Sequence, residues 1–222
     1  MNRIRRIFGP PALALGLGAL LLTAGCTGNI FVPKQRVLVD AIAAPGLAKP
    51  AGKSYRLVAR KSVVTGQQAQ LPVIAACLNS ALLSTGMFEA PLSVPSDIFI
   101  EVGYGMDAAG RADPATRESY LQLSARANAG RSLDSSREEE LWDVRVAVKG
   151  VAGRLESAMP LLCWAAAAYA GTDTHIETTV EVPQNSPAVE SVRQGALKIL
   201  DSKVPATQSP PPAPARPITG AK

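Results

Sequence analysis

Residues that build catalytic and metal sites are scarce in this chain. Its 222 residues include one histidine, His175, and three cysteines. No Gly-x-Ser-x-Gly motif places a serine nucleophile on a strand-to-helix turn. Cys77 and Cys163 lie far apart in the sequence, and neither is near the histidine. We therefore predict no catalytic residues, no cofactor-binding residues and no metal site.

Aromatic residues are also rare, at 5% of the chain, so the core must rest mainly on Ala, Val, Leu and Ile. Cys77 and Cys163 both lie in apolar, helix-like stretches. Two interpretations are open for this pair. They form a disulfide, which an oxidising compartment permits, or they are two buried thiols.

The N-terminal apolar run, residues 12–23, is too short for the roughly 20 residues that a spanning helix needs. It follows three arginines and precedes Ala24-Gly25-Cys26. A basic start, a short apolar run and small residues are typical of a secretory signal peptide. We predict that residues 1–25 are removed.

The three residues Ala24-Gly25-Cys26 resemble the lipobox of bacterial lipoproteins, although Thr23 stands where that motif usually has Leu. The resemblance implies lipidation of Cys26 on its sulfur and on the new N-terminus. Several acyl chains together form a stable membrane anchor. Thr27 follows, in place of the Asp that typically retains such proteins in the inner membrane. This favours the periplasmic face of the outer membrane.

The leader holds three of the 23 basic residues and no acid, so it supplies three of the five net positive charges. Removing residues 1–25 lowers the formal net charge from +5 to +2. A charge this small gives little support to nucleic-acid binding. We predict contact with the membrane through the lipid anchor, an envelope protein or the cell wall as a partner, and no nucleic acid.

The mature chain divides into a tether at 26–33, one domain at 34–202 and a tail at 203–222. The tail holds six prolines, including Pro210-Pro211-Pro212, and is predicted to be disordered. Periodicity in the domain predicts strands at 36–42, 54–60, 97–104, 119–127, 140–149 and 175–182, and helices at 68–85, 154–170 and 187–202.

Several residues mark the ends and the burial of these elements. Gly86 is expected to close the first helix, and Ser186 with Pro187 to open the third. The second helix contains Pro160 but no charge between Glu156 and Asp173, so it should be the most buried helix.

Three strands alternate clearly between apolar and polar residues, as in 140–149, where Trp142 shares one face with the valines. One apolar and one polar face predict an α+β fold: a two-layer α/β sandwich with a mostly antiparallel sheet and helices packed on one face. In the last strand, Ile176, Val180 and Val182 are predicted to point inward.

Four features allow both a functional and a structural interpretation. His175 is predicted to be a solvent-facing strand residue. Gly103-Tyr104-Gly105 is predicted to hold turn glycines rather than a phosphate loop, and Glu138-Glu139-Glu140 a solvated loop rather than a cation site. Arg126, Arg145 and Lys149 share a sheet face, where they form a mild basic patch or serve solubility.

Four segments resemble the DUF4136 family of bacterial lipoproteins: Ser54-Tyr55-Arg56-Leu57, Leu78 to Phe88, Ser96 to Val102, and Leu141-Trp142-Asp143-Val144. The resemblance extends over about 36–185. It implies an α/β sandwich and a cell-envelope location, and it offers no catalytic residues to transfer. The Pro-rich tail and the Ala-rich second helix depart from the family.

Two functions are compatible with these observations. The first is a lipid-anchored envelope protein with a non-catalytic binding or structural role, facing the periplasm. The second is a periplasmic small-ligand carrier or hydrolase-like enzyme with a cleft between helices and sheet. The single histidine and the missing motifs favour the first.

Overall fold

The structure is a computed structural model that describes residues 32–60, 71–107, 118–134, 138–149 and 155–203. The predicted signal peptide, the predicted lipidation site Cys26, most of the predicted tether and the tail from residue 204 lie outside the described residues. The compact unit that holds the sheet and helices begins at Lys34. Within the described ranges, no helix is both long and apolar enough to cross a membrane.

In the described part of the chain, seven strands and three helices form an α+β fold. The strands are β1 (Lys34–Ala43), β2 (Ser54–Ala59), β3 (Phe88–Glu89), β4 (Ile98–Asp107), β5 (Glu118–Ala127), β6 (Glu140–Lys149) and β7 (Thr178–Pro183). The helices are α1 (Leu71–Ser84), α2 (Leu155–Tyr169) and α3 (Pro187–Lys203).

One mixed sheet contains all seven strands in the order β3-β2-β4-β5-β6-β1-β7. Strand β2 pairs in parallel with β3 and β4, whereas every other pairing is antiparallel. This confirms the predicted α+β class and the mostly antiparallel sheet. The two-residue strand β3 is too short for a period-2 pattern, and the sequence did not predict it.

A single apolar core joins alternate strand residues to residues of all three helices. Trp142 is 1% exposed and shares its strand face with the buried Val144 and Val146, as the alternation predicted. Helix α2 is the most buried helix, with 10 of its 15 residues buried, and it accommodates Pro160 within its length. This confirms the expectation from its uncharged sequence.

The predicted helix ends are confirmed at α1 and α3. Gly86 has a φ of +86°, its N–H donates to the Leu83 carbonyl at 3.0 Å, and the Met87 N–H donates to the Leu82 carbonyl at 3.1 Å. These two bonds form a Schellman motif. Helix α3 begins at Pro187, directly after Ser186.

The last strand begins later than predicted, at Thr178, and the inward position of Ile176 was wrong. Ile176 is 75% exposed. The chain turns before it reaches β1, because His175 has a φ of +57° and its N–H donates to Asp173 Oδ1 at 2.7 Å. Val182, by contrast, is buried as predicted.

The prediction that Gly103 and Gly105 lie in a turn was also wrong, because both lie inside β4. A Cβ at Gly103 would lie 3.4 Å from Arg60 Cδ, and one at Gly105 would lie 3.0 Å from the Tyr120 ring. The two glycines leave room for large side chains from neighbouring strands to lie across β4.

Candidate functional site: the polar sheet face and its loops

The polar face of the sheet consists of the strand side chains that alternate with the core residues. Its charged members from β4, β5 and β6 are Glu101, Glu118, Arg126, Asp143, Arg145 and Lys149, and Arg60 reaches them from the end of β2. The register places Gln122 between Gly103 on β4 and Arg145 on β6. Side chains from β5, from β6 and from the residue after β2 therefore meet over the middle of β4 and β5.

Arg60 begins a row of hydrogen bonds across the polar face. Its Nη1 donates to Gln122 Oε1 at 2.7 Å, and Gln122 Nε2 donates to both carboxylate oxygens of Asp143, at 3.0 and 3.1 Å. Arg60 Nη2 also lies 3.9 Å from Asp143 Oδ2. The row crosses over Gly103, whose missing side chain gives Arg60 this path.

A second group of ion pairs surrounds Arg126. Its guanidinium lies 3.9 Å from Glu101 and 3.5 Å from Glu140, and the Ser124 hydroxyl donates to Glu140 at 2.6 Å. Glu101 on β4, Ser124 on β5 and Glu140 on β6 thus fix the position of the Arg126 guanidinium.

Arg145 is paired in the same way, since it lies 3.9 Å from Glu118 and 4.5 Å above the Tyr120 ring. Arg126, Arg145 and Lys149 share one face, as predicted. The basic-patch interpretation is wrong for Arg126 and Arg145, however, because carboxylates balance both charges. The middle of the polar face is a mixed-charge network.

Asp143 is the most perturbed acid of the network. Burial raises the pKa of its carboxyl, the nearby Glu140 raises it further, and the hydrogen bonds from Gln122 oppose this shift. Burial thus disfavours the charged form of the Asp143 carboxyl, and the hydrogen bonds from Gln122 partly offset this cost. Among the described residues, no group of three or more His, Cys, Asp or Glu side chains could hold a metal ion.

The side chains of Glu138 and His175 make local contacts only, although the Glu138 backbone carbonyl accepts a hydrogen bond from Arg126 Nη1 at 3.2 Å. Glu138 accepts hydrogen bonds from the backbone N–H groups of Ala129 and Gly130, at 2.8 and 2.7 Å, which lowers the pKa of its carboxyl. It therefore closes its own hairpin loop. The His175 side chain is 85% exposed and lies 3.2 Å from Asp173.

Arg56 joins two loops at the end of the sheet where β4 begins. Its Nη2 donates to the carbonyls of Pro91, Leu92 and Val94 at 2.9, 3.2 and 2.9 Å, and its Nη1 donates to the Leu133 carbonyl. We call this arrangement the Arg56 clasp. The sequence could not identify it, because backbone carbonyls of distant loops leave no residue pattern.

The two loops held by the Arg56 clasp expose apolar side chains. Leu92 is 87% exposed, Val94 49% and Leu133 44%. We call these three residues the apolar loop patch. Single exposed apolar residues are common, but these three stand on backbone that one arginine holds, which makes them candidates for an interaction surface.

Cys77 on α1 and Cys163 on α2 are both buried, and their side chains are neighbours that interact with each other. Burial raises the pKa of the Cys163 thiol. The sequence therefore placed both cysteines correctly in buried helices. The alternative of a disulfide between them stays a prediction.

An apolar groove of about 290 Å³ lies between α1 and the neighbouring strands. Leu57 and Val102 line it from β2 and β4, and Leu71, Ile74 and Leu78 line it from α1. Its volume is at the lower end of the range of small-molecule sites.

No family model and no curated protein match the chain. A PDZ domain protein from Parabacteroides distasonis is similar in structure, with 14% identity and a TM-score of 0.45 over 68% of this chain. This chain covers 40% of the length of that protein. PelC from Paraburkholderia phytofirmans, crystallised as a dodecamer, is 10% identical with a TM-score of 0.40, over 59% of this chain and 94% of its own. Both similarities are too distant to indicate a shared function.

Proposed function

We propose that this chain is a lipid-anchored protein of the bacterial cell envelope that binds another envelope protein and does not catalyse a reaction. Cys26 would hold it at the periplasmic face of the outer membrane. The signal pattern, the lipobox-like residues before Cys26 and the resemblance to the DUF4136 family support this proposal. In the same proposal, the helices form one layer of a two-layer sandwich and leave the polar face for a partner.

The apolar loop patch is the observation that carries the binding role. Removing apolar surface from water is the main favourable contribution to most protein–protein association. Leu92 is almost fully exposed, yet the backbone on which it stands is fixed by Arg56. A surface that is already ordered loses little conformational entropy on binding, which favours affinity.

The polar face next to the patch would supply specificity. Arg126 links the acids Glu101 and Glu140, and Phe99 lies between Arg56 and Arg126 in the strand register. Because these charges are already paired, they fix the shape and the hydrogen-bonding pattern of the surface. A protein partner fits an apolar patch with a polar rim better than the polar glycan of a cell wall does.

Capture from detergent-solubilised envelope tests the binding role. A chain with Leu92→Ser, Val94→Ser and Leu133→Ser should recover at least about ten-fold less partner than the wild type, as expected when central apolar contacts are lost. The control carries Leu83→Ser and Leu197→Ser, which replace exposed apolar residues on α1 and α3. It should recover the partner normally.

A photo-crosslinking residue at position 92 identifies what the patch contacts in intact cells. A crosslink to one protein supports the proposal, whereas crosslinking only to peptidoglycan would contradict it. Equal recovery with the patch variant and the wild type would also contradict it. Arg56→Ala, which leaves the patch residues unchanged but releases their loops, should weaken recovery as well.

Lipidation is tested separately from partner binding. The mass of the mature N-terminal peptide should include acyl chains on Cys26, and Cys26→Ser should shift the protein from the salt-washed membrane fraction to a soluble or an uncleaved form. An unmodified Cys26 together with unchanged fractionation would contradict the anchor.

The apolar groove supports a second candidate function, that of a periplasmic carrier for a small apolar ligand. Its lining by Leu57, Ile74 and Leu78 would suit an alkyl chain. Native mass spectrometry of the purified chain would detect a bound ligand, and Ile74→Trp would fill the groove and displace it. Purified protein without ligand, and unable to bind added fatty acid, would exclude this candidate.

A further inference from the structure

A groove whose charged lining residues are mostly basic lies at the end of the sheet where the described domain begins. It has a volume of about 870 Å³ and runs over β6, β1 and β7. The charged residues that line it are Lys34, Arg36, Lys149 and Glu181. We call it the basic groove. It lies at the opposite end of β1 from the loops that Arg56 holds.

The basic groove has an excess of positive charge that its own acid does not balance. Glu181 lies 3.1 Å from Lys34 Nζ and 3.4 Å from Arg36 Nε, so one carboxylate serves two cations. The Lys34 and Arg36 side chains are 60% and 77% exposed. This differs from the middle of the polar face, where Arg126 is paired with two acids.

The sequence places this charge close to the proposed anchor. Seven residues lie between Cys26 and Lys34, and the eight residue steps of a fully extended chain span at most about 29 Å. If Cys26 carries the anchor, Lys34 lies within about 29 Å of the lipid headgroups, and Arg36 lies two residues further along the chain. Leu38 lines the same groove and is only partly exposed.

We propose that the basic groove is a second membrane-contact site, which binds the phosphate of anionic phospholipid headgroups beside the anchor. This inference rests on the proposed lipid anchor for its location, but the headgroup contact itself does not require acylation. The contact would hold the Lys34 end of the sheet against the bilayer. The Arg56 clasp and the apolar loop patch would then face away from it, toward a partner.

The expected strength follows from the number of basic residues. Each Lys or Arg near an anionic bilayer strengthens partitioning by roughly five-fold at physiological ionic strength. Three such residues therefore give a change on the order of 100-fold. The interaction should weaken with added salt, because surface charges are screened beyond about 8–10 Å.

Vesicle co-sedimentation tests the site with the mature chain 26–222 carrying Cys26→Ser, so that acyl chains make no contribution. This chain should bind vesicles of phosphatidylcholine with phosphatidylglycerol and should not bind phosphatidylcholine alone. Lys34→Gln, Arg36→Gln and Lys149→Gln together should reduce binding on the order of 100-fold. Lys149→Gln alone, which removes no ion pair of Glu181, should reduce it about five-fold.

The matched control removes three exposed cations outside the groove by Lys49→Gln, Lys53→Gln and Lys198→Gln. It should bind within two-fold of the parent, and circular dichroism should show both triple variants folded. Equal losses in the two triple variants would overturn the site in favour of net charge alone. Binding to neutral vesicles, or full binding by the folded groove variant, would overturn it too.

Inorganic phosphate at constant ionic strength separates a headgroup site from a site for a soluble anion. Saturable binding of phosphate to the chain in the absence of vesicles, lost in the variant with Lys34→Gln, Arg36→Gln and Lys149→Gln, would assign the groove to a soluble anion and overturn the proposal. None of these results depends on whether Cys26 is acylated in cells, so failure of this site and failure of the lipid anchor are distinguishable.

Discussion

Gly195 on α3 lies directly against Ser80 on α1. A Cβ at position 195 would lie 3.0 Å from the Cβ of Ser80 and still closer to its hydroxyl oxygen. A side chain at position 195 would therefore require the Ser80 hydroxyl to rotate away and the two helices to yield slightly, because the Cβ–Cβ contact is tighter than nearly all non-bonded Cβ contacts. Glycine sets the closest approach of α1 and α3.

Gly195→Ala should therefore destabilise the fold. Overpacking at a tight contact typically costs about 1–3 kcal/mol, whereas the better helix propensity of alanine returns up to about 1 kcal/mol. We expect a net loss of about 1–2 kcal/mol in urea unfolding. Adding Ser80→Ala, which removes the nearest oxygen, should recover most of the loss. A Gly195→Ala chain as stable as the wild type would contradict this packing.

Trp142 tests the centre of the core. It is 1% exposed, and its Nε1 has no hydrogen-bond partner among the described residues. Trp142→Ala should cost about 3–5 kcal/mol, the usual range for a large buried aromatic. Trp142→Phe should cost much less, because it keeps a ring in the site and removes the unpaired N–H group. Urea unfolding by circular dichroism measures both, and equal losses would contradict the role given to Nε1.

Asp97 and Ser54 form a reciprocal contact that predicts a pH dependence. The Ser54 N–H and hydroxyl donate to Asp97 Oδ2 at 2.9 and 2.8 Å, and the Asp97 N–H donates to Ser54 Oγ at 3.0 Å. These bonds, with help from Arg131, hold the pKa of Asp97 below its usual value. The charged carboxylate is thus favoured in the folded state.

Because the folded pKa is the lower one, the contribution of Asp97 to stability is complete above the unfolded pKa of about 3.9. It is lost as the pH falls through the folded value. Asp97→Asn should cost about 1 kcal/mol at neutral pH, a modest value because the side chain is about a third exposed. Urea titrations should show the difference from the wild type shrinking below about pH 4. A difference that stays constant with pH would contradict the argument.

How far the sequence could predict the fold depended on the strength of each local pattern. In β5 and β6, strict alternation around Leu121 and Val144 defined strands whose observed ends lie within one residue of the predicted ones. In β7 only Val182 is buried. The three residues before the strand show little alternation, and extending the strand over them wrongly predicted that Ile176 points inward. A period-2 pattern predicts a strand when one face is buried and the other is exposed. It fails when most residues of both faces are exposed.

The candidate site was less predictable than the fold, because it depends on contacts between distant segments. The sequence placed Arg126 and Arg145 on one face but could not show which acids pair with them. Gly103 was interpreted as a turn residue. It is a glycine because the Arg60 side chain, which follows β2, lies across it, and this contact leaves no sign in the sequence around Gly103. The Arg56 clasp binds backbone carbonyls, which every residue has. Such contacts appear only when the tertiary fold is known.

Cys77 and Cys163 supply a prediction about thiol reactivity. Both thiols are buried, and the thiolate is the species that reacts with alkylating reagents. Burial raises the pKa of Cys163 and keeps it protonated at neutral pH. The hydrogen bond from Cys163 lowers the pKa of Cys77, but the Cys77 side chain is only 3% exposed, so a reagent cannot reach it. In the mature chain with Cys26→Ser, iodoacetamide should add to neither cysteine while the protein is folded.

Denaturation without a reducing agent distinguishes the two states of this cysteine pair. If both are thiols, unfolding in urea should expose them, and intact mass spectrometry should show two added carbamidomethyl groups. Cys77→Ala should then show one group and should lose little stability, because a small buried thiol is replaced by a small apolar side chain. A wild-type chain that adds no groups until it is reduced would establish a disulfide between α1 and α2. Rapid alkylation of the folded chain would instead contradict the burial of both thiols.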